Sequence, residues 1–326
     1  MRAKVSVIIP VYKVAAFIGR CAASLLGQTL DSVEYIFVDD CSPDDSIDVL
    51  RRVMDDYPQR ANAVRILRHD VNRELPAERN TGLAVAEGDY VFHCDSDDWV
   101  ETDMLEQMYD AAVASDADVV WSDFFMTFSE SERYMPTPAY PTPREALHGL
   151  LSGRMKYNVW NKLVRRSLYT DNEIAFPSGH GLGEDMTMIR LMACATRVAS
   201  VHKAFYHYVK TNANAFTQQP TERQLDDIKF NSDLTFAFIR DRFGNEIGEW
   251  LDFFLLDVKL PFLITDDTAM YEKWRTWFTH ANKSIFANTG HSRRIRFVEY
   301  CASRNVFWVV RLHYYLYSRA LRTMYK

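Results

Sequence analysis

Two carboxylates at positions i and i+2, placed just after a buried strand, can both reach one hard divalent cation. Asp95-Ser96-Asp97-Asp98 has this spacing and follows a short apolar run at residues 90–93. A cation held there would sit on a diphosphate and neutralise it as a leaving group. Asp and Ser are also ordinary turn and N-cap residues, so a plain turn accounts for the same four letters. A second acidic pair, Asp39-Asp40, closes another apolar run. A carboxylate at that place can accept a hydrogen bond from an imide N–H such as uracil N3–H. It can equally cap the helix that follows. The acidic pocket of a phosphoryl-accepting receiver domain is disfavoured, because the first strand ends in Pro10-Val11-Tyr12 and not in acids.

Strands and helices must alternate to bring these groups together. Residues 5–9 form a β-branched run closed by Pro10, and strands follow at about 34–38, 63–67, 90–93 and 118–121. Helical patterns lie between them at 15–26, from Ser42 to about Tyr57, at 76–86 and from Asp103 onward. This alternation predicts an α/β domain with a mostly parallel sheet, in which ligands bind outside the carboxyl ends of the strands. Residues 129–145 are rich in Ser, Glu and Pro and read as a loop or edge excursion. A Gly-rich segment at 176–184 leads into a helix from Asp185 to about Ala195. Beyond about Thr221 helical patterns dominate, which places a change of architecture near residue 217 and gives domains of 1–217 and 218–326.

The composition sets bounds. The chain has 326 residues, 48% hydrophobic and 25% charged, close to globular averages and far from disorder or coiled coil. No apolar run is long enough to span a bilayer, and the N-terminus reads as a strand and not as a signal peptide. Cys21, Cys41, Cys94, Cys194 and Cys301 are scattered, with no C-x-x-C pair, which fits a reducing cytoplasm. The net charge of −6 hides eight Lys or Arg against one acid in residues 293–326. The acidic remainder is a poor match to nucleic acid. No G-x-G-x-x-G follows the first strand, which excludes a nicotinamide-dependent oxidoreductase.

The order of four blocks resembles the inverting family-two glycosyltransferases with a GT-A, Rossmann-like fold: VSVIIPVYK, YIFVDDCSPDDS, NRELPAERNTG and GDYVFHCDSDDWV. Val159-Trp160-Asn161-Lys162-Leu163 and Gly183-Glu184-Asp185 extend the likeness to about residue 217. The resemblance implies metal-dependent transfer of a hexosyl or N-acetylhexosaminyl group from a UDP-sugar to a glycan or lipid-linked acceptor, in bacterial cell-surface polysaccharide assembly. It places Pro10 and Tyr12 beside the nucleobase, Asp39 at the uracil edge and Asn72 facing base or ribose. Arg79 would lie near the donor phosphates, and Asp95 would bind ribose or metal. Asp97 would be the main ligand of Mn²⁺ or Mg²⁺. Asp185 would be the catalytic base, with Glu184 supporting it or contacting the acceptor. Lys13, Cys41, Pro76 and Glu78 depart from the usual pattern. A catalytically inactive nucleotide-sugar-binding or scaffolding protein is the alternative.

At 100° per residue, Arg304, Arg311, Arg319, Arg322 and Lys326 fall within about an 80° arc, with Val306, Phe307, Val310, Tyr314, Tyr317 and Leu321 on the other side. The pattern over residues 304–326 fits a helix lying on an anionic membrane surface. It fits equally a helix packed on the protein or in a homodimer. His207, between two tyrosines, is a further candidate for a metal or phosphate contact.

Overall fold

The computed structural model describes residues 3–211 and 221–324. The expected change of architecture near residue 217 lies outside the described residues, as does Lys326. The chain forms two compact units, one of residues 1–146 and 157–231, the other of 147–156 and 232–326.

In the first unit, nine strands among the described residues form one mixed sheet. They are β1 Val5–Val11, β2 Val33–Asp39, β3 Val64–Arg68, β4 Tyr90–His93, β5 Trp99–Val100, β6 Val119–Thr127, β7 Glu132–Met135, β8 Lys162–Arg165 and β9 Val198–Val209. The order is β3-β2-β1-β4-β8-β6-β9-β5, with β7 on β6. β3, β2, β1 and β4 run parallel. β8 enters antiparallel to both β4 and β6, and β9 runs parallel to β6. Every residue of β1 and β2 is buried, as expected of parallel strands covered on both faces.

Helices α1 Ile18–Leu26, α2 Ser46–Asp55, α3 Leu75–Val85 and α4 Met104–Ser115 fill the intervals between the early strands. α3 lies close on β1: a Cβ at Gly82 would come within 2.5 Å of the Ile8 side chain. β1 runs one residue past Pro10. Its ladder to β4 ends at Ile8 opposite His93, so the missing proline N–H falls beyond that ladder. The acid-rich stretch after β4 is a turn, and residues 132–135 pair with β6 as an edge strand.

The second unit is helical, with segments Gly248–Lys259, Thr268–Thr276, Arg293–Ser303 and Phe307–Met324. Its core holds a buried ionic group. His291 meets Glu299 at 3.2 Å and Asp257 at 3.3 Å. Burial alone would lower the histidine pKa, but hydrogen bonds to Asp257 and Glu299 raise it to about 9. A folded pKa above the ordinary 6.5 adds stability that is complete below pH 6.5 and is lost as pH rises through about 9. The gap corresponds to on the order of 3 kcal/mol. His291→Gln should therefore lower the melting temperature at pH 6 far more than at pH 9.5. Equal losses at both pH values would contradict a charged His291.

Candidate active site

The four parallel strands deliver their carboxyl ends to one edge of the sheet. β1 gives Pro10 and Tyr12, β2 gives Asp39 and Asp40, and β4 gives Asp95 to Asp98. Pro10 is buried, Tyr12 is exposed, and Lys13 Nζ lies 5.0 Å from the Tyr12 ring centre.

The two acids after β2 are held differently. Asp39 Oδ1 accepts the Ser42 N–H at 2.8 Å, and its Oδ2 is 3.4 Å from Arg68 Nε. Asp40 is fully buried and accepts the N–H groups of Arg73 and Glu74. It also pairs with His69 Nδ1 at 2.6 Å. Asp40 thus anchors the loop that carries the exposed Asn72 and opens α3.

α3 sends adjacent residues in two directions. Glu78 Oε1 accepts the Val11 N–H at 2.8 Å and braces the end of β1. Arg79 is 1% exposed and turns toward the acids. Its Nη2 lies 3.1 Å from Asp95 Oδ1, 3.5 Å from Glu184 Oε1 and 3.8 Å from Asp185 Oδ1. Phe176 covers the guanidinium at 5.5 Å. One buried cation therefore gathers Asp95 and the adjacent pair Glu184–Asp185, which lies about ninety residues further along the chain.

Burial dominates the electrostatics. It raises Asp95 to about pKa 6, with Arg79 opposing and Asp97 and Asp185 reinforcing. Burial and the neighbouring Asp185 raise Glu184 to about 8 against the pull of Arg79. Asp185 is also raised by burial, while Arg79 and Lys162 pull it down. Lys162 is itself lowered by burial to about 7. Its Nζ donates to Asn158 O and Asn161 Oδ1.

Two asparagines set the position of Glu184 and Asp185. Asn80, next to Arg79, exchanges two hydrogen bonds with the Phe176 backbone, at 2.8 and 2.9 Å, and donates a third to Ser178 Oγ. Asn231 donates to the carbonyls of His180 and Leu182. Loop 176–183 is thereby pinned at both ends before a single 3-10 turn, Glu184–Met186, presents Asp185. Asn80→Ala should loosen this loop and lower the melting temperature by roughly 5 °C, which a thermal melt against the wild type checks.

Neither Asn231 nor Tyr206 stood out in the sequence. Tyr206 accepts the Asp95 N–H and donates to Asp98 Oδ2 at 2.7 Å, while Asp98 Oδ1 accepts the Val209 N–H. Asp98 is thus a buried support that ties the acidic turn to β9. Strand alternation was the available signal. Tyr206 shares one face of β9 with Tyr208, and both stack on Trp160. His207 faces the other way, between Trp99 and Phe125, with Glu101 and Glu132 on its two nitrogens. It does not join the cluster around Arg79.

Among the described residues no three His, Cys, Asp or Glu side chains form a cage for a metal. Asp95 and Asp97 fit a different kind of cation site. They offer hard oxygens for an ion that takes its other ligands from phosphate and water. Negative charge is in excess there: Asp95 feels both Asp97 and Asp185, and Asp185 Oδ1 is buried without a hydrogen-bond partner.

The first unit thus combines a mixed sheet that has a parallel Rossmann-like half with an acidic turn and a buried Arg–carboxylate cluster at its strand ends, where open α/β sheets bind ligands. The sequence model described as glycosyl transferase family 2 matches residues 6–186, and the chain belongs to that family. It is 31% identical over 231 residues to the uncharacterized glycosyltransferase EpsJ of Bacillus subtilis, covering 68% of this chain and 65% of that protein. It is 25% identical over 294 residues to glycosyltransferase GlyG of Streptococcus pneumoniae, covering 86% and 93%. In fold it is similar to S. aureus TarS 1–349, solved in complex with UDP-GlcNAc. The TM-score is 0.70 at 17% identity, over 97% of this chain and 92% of the other.

Proposed function

We propose that the chain transfers a hexosyl or N-acetylhexosaminyl group from a UDP-sugar to a hydroxyl of a glycan or lipid-linked acceptor, with inversion. The observation that carries this reading is the convergence of Asp95, Glu184 and Asp185 on the buried Arg79. The fold shared with TarS, a protein solved with UDP-GlcNAc, supports a uridine donor.

In this reading the base and ribose lie along Pro10, Tyr12, Asp39 and Asn72. Arg79 holds Asp95 and the Glu184–Asp185 pair in one charge-balanced arrangement beside the diphosphate. Asp95 and Asp97 would hold Mn²⁺ or Mg²⁺, which when bound neutralises charge on the diphosphate leaving group. Asp185 accepts the proton of the acceptor hydroxyl as that oxygen attacks the anomeric carbon. Glu184 steadies Asp185 or touches the acceptor. Loop 176–183 and the buried wall around Phe176 keep water from competing with the acceptor. We place the catalytic domain at residues 1–217 and the helical region at 218–326; the compact units divide the chain at other points, after residues 146, 156 and 231. The five cysteines form no disulfide, which suits work in the cytoplasm on cell-surface polysaccharide. No helix among the described residues is long and apolar enough to cross a membrane.

The test is UDP release from UDP-glucose, UDP-galactose and UDP-GlcNAc with a panel of acceptors, with GDP-mannose as control and the product anomer read by NMR. Turnover of one UDP-sugar with an inverted linkage is the expected outcome. UDP binding with no consumption of any donor would favour the scaffolding alternative.

A further inference from the structure

We propose that the second unit docks on anionic lipid surfaces through the outward face of its last helix, Phe307–Met324. Trp308, Leu312, Tyr315 and Leu316 are 68%, 49%, 59% and 54% exposed. With Arg311 and Arg319, also exposed, they fall within an arc of about 140° at 100° per residue. The buried Val310 and His313 lie on the opposite side of the helix. One face of the helix is therefore packed within the unit. The other combines large apolar side chains with arginines.

Charge selects the occupant. From residue 293 to residue 319 the one acid is Glu299, and it is fully buried against His291. The exposed charges of that stretch are Arg293, Arg294, Arg304, Arg311 and Arg319. Exposed Phe297 and Tyr300 lie on the preceding helix, and Arg304 sits over the Tyr300 ring. A stretch whose exposed charges are all arginine, set beside tryptophan and tyrosine, suits phosphate headgroups over a shallow apolar layer. The exposed acids near its start, Asp266 and Asp267, act with Arg311 on the Tyr271 hydroxyl. A symmetric dimer across this face would crowd the arginines of both copies together. The apolar stripe is too regular for a helix meant only for water.

The experiment is co-sedimentation of the full chain with vesicles of phosphatidylcholine alone and of phosphatidylcholine mixed with phosphatidylglycerol, at low and high salt. Binding to the mixed vesicles at low salt, weakened by salt and absent with phosphatidylcholine alone, is the expected result. Removing two arginines with R311Q/R319Q should lower partitioning about thirtyfold. W308S/Y315S should weaken binding that persists at high salt. Circular dichroism and a melting curve that overlay the wild type show that both variants are folded. No binding of the wild type to mixed vesicles, or wild-type binding by R311Q/R319Q, would overturn the proposal. A wild-type dimer in sedimentation velocity that W308S/Y315S converts to monomer, without any vesicle binding, would assign the face to a second copy instead.

Discussion

Asp185→Asn is expected to bind UDP within about twofold of wild type while transfer falls by about 10²- to 10⁴-fold, the usual contribution of a positioned general base. The substitution keeps the shape of the side chain and removes its charge. It also relieves a crowded cluster, since Asp185 raises the pKa of both Asp95 and Glu184. Thermal stability should therefore hold or rise slightly, as is common when a strained functional site is neutralised. A variant that melts earlier and loses UDP binding would mean that Asp185 is structural. Near-normal turnover would require another base, and Glu184, its buried neighbour, would be the next to test.

Arg79→Met should have the largest effect on the fold. The guanidinium is fully enclosed and faces Asp95, Glu184 and Asp185. Removing it leaves three partly buried carboxylates without the guanidinium that faces them, although Lys162 still pulls on Asp185. Breaking a buried ion pair from one side costs about 3–5 kcal/mol, or roughly 10 °C in Tm for a unit of this size. Activity should be lost together with stability. Arg79→Lys should recover part of the stability and little of the activity, because an ammonium on a shorter reach cannot serve three acids at once. A melting curve for Arg79→Met that overlays the wild type would remove the organising role assigned to this residue.

The parallel half of the sheet was legible in the sequence for a simple reason. β1, β2 and β4 are buried throughout and appear as largely apolar runs, interrupted by Ser6 and Glu34, that end in polar clusters. β7, β8 and β9 were harder to see. β9 mixes exposed His202 and Lys203 with buried Ala204 and Phe205, and its pairing with β6 contains a bulge. Its identity as a strand comes from partners far away in the chain. The same limit applies to the site. The acids at the strand ends could be read locally, but the meeting of Arg79 with Glu184 and Asp185 depends on loop 176–183, which Asn80 and Asn231 hold in place. His207 points away from the site that Tyr206 supports, since neighbouring residues on a strand face opposite ways. Two departures from the family pattern gain a physical meaning. Lys13 and Cys41 have φ of 54° and 57°. That left-handed region favours Gly and Asn over lysine and cysteine.

The central claim is a uridine-diphosphate site built from Asp39, Arg79, Asp95 and Asp97. Calorimetric titration of UDP into the full chain, with and without Mn²⁺ and with Asp97→Ala alongside, tests it most directly. Tight binding that needs the metal and disappears in the variant is the expected result. UDP affinity that is the same with and without Mn²⁺, and the same in wild type and Asp97→Ala, would contradict it.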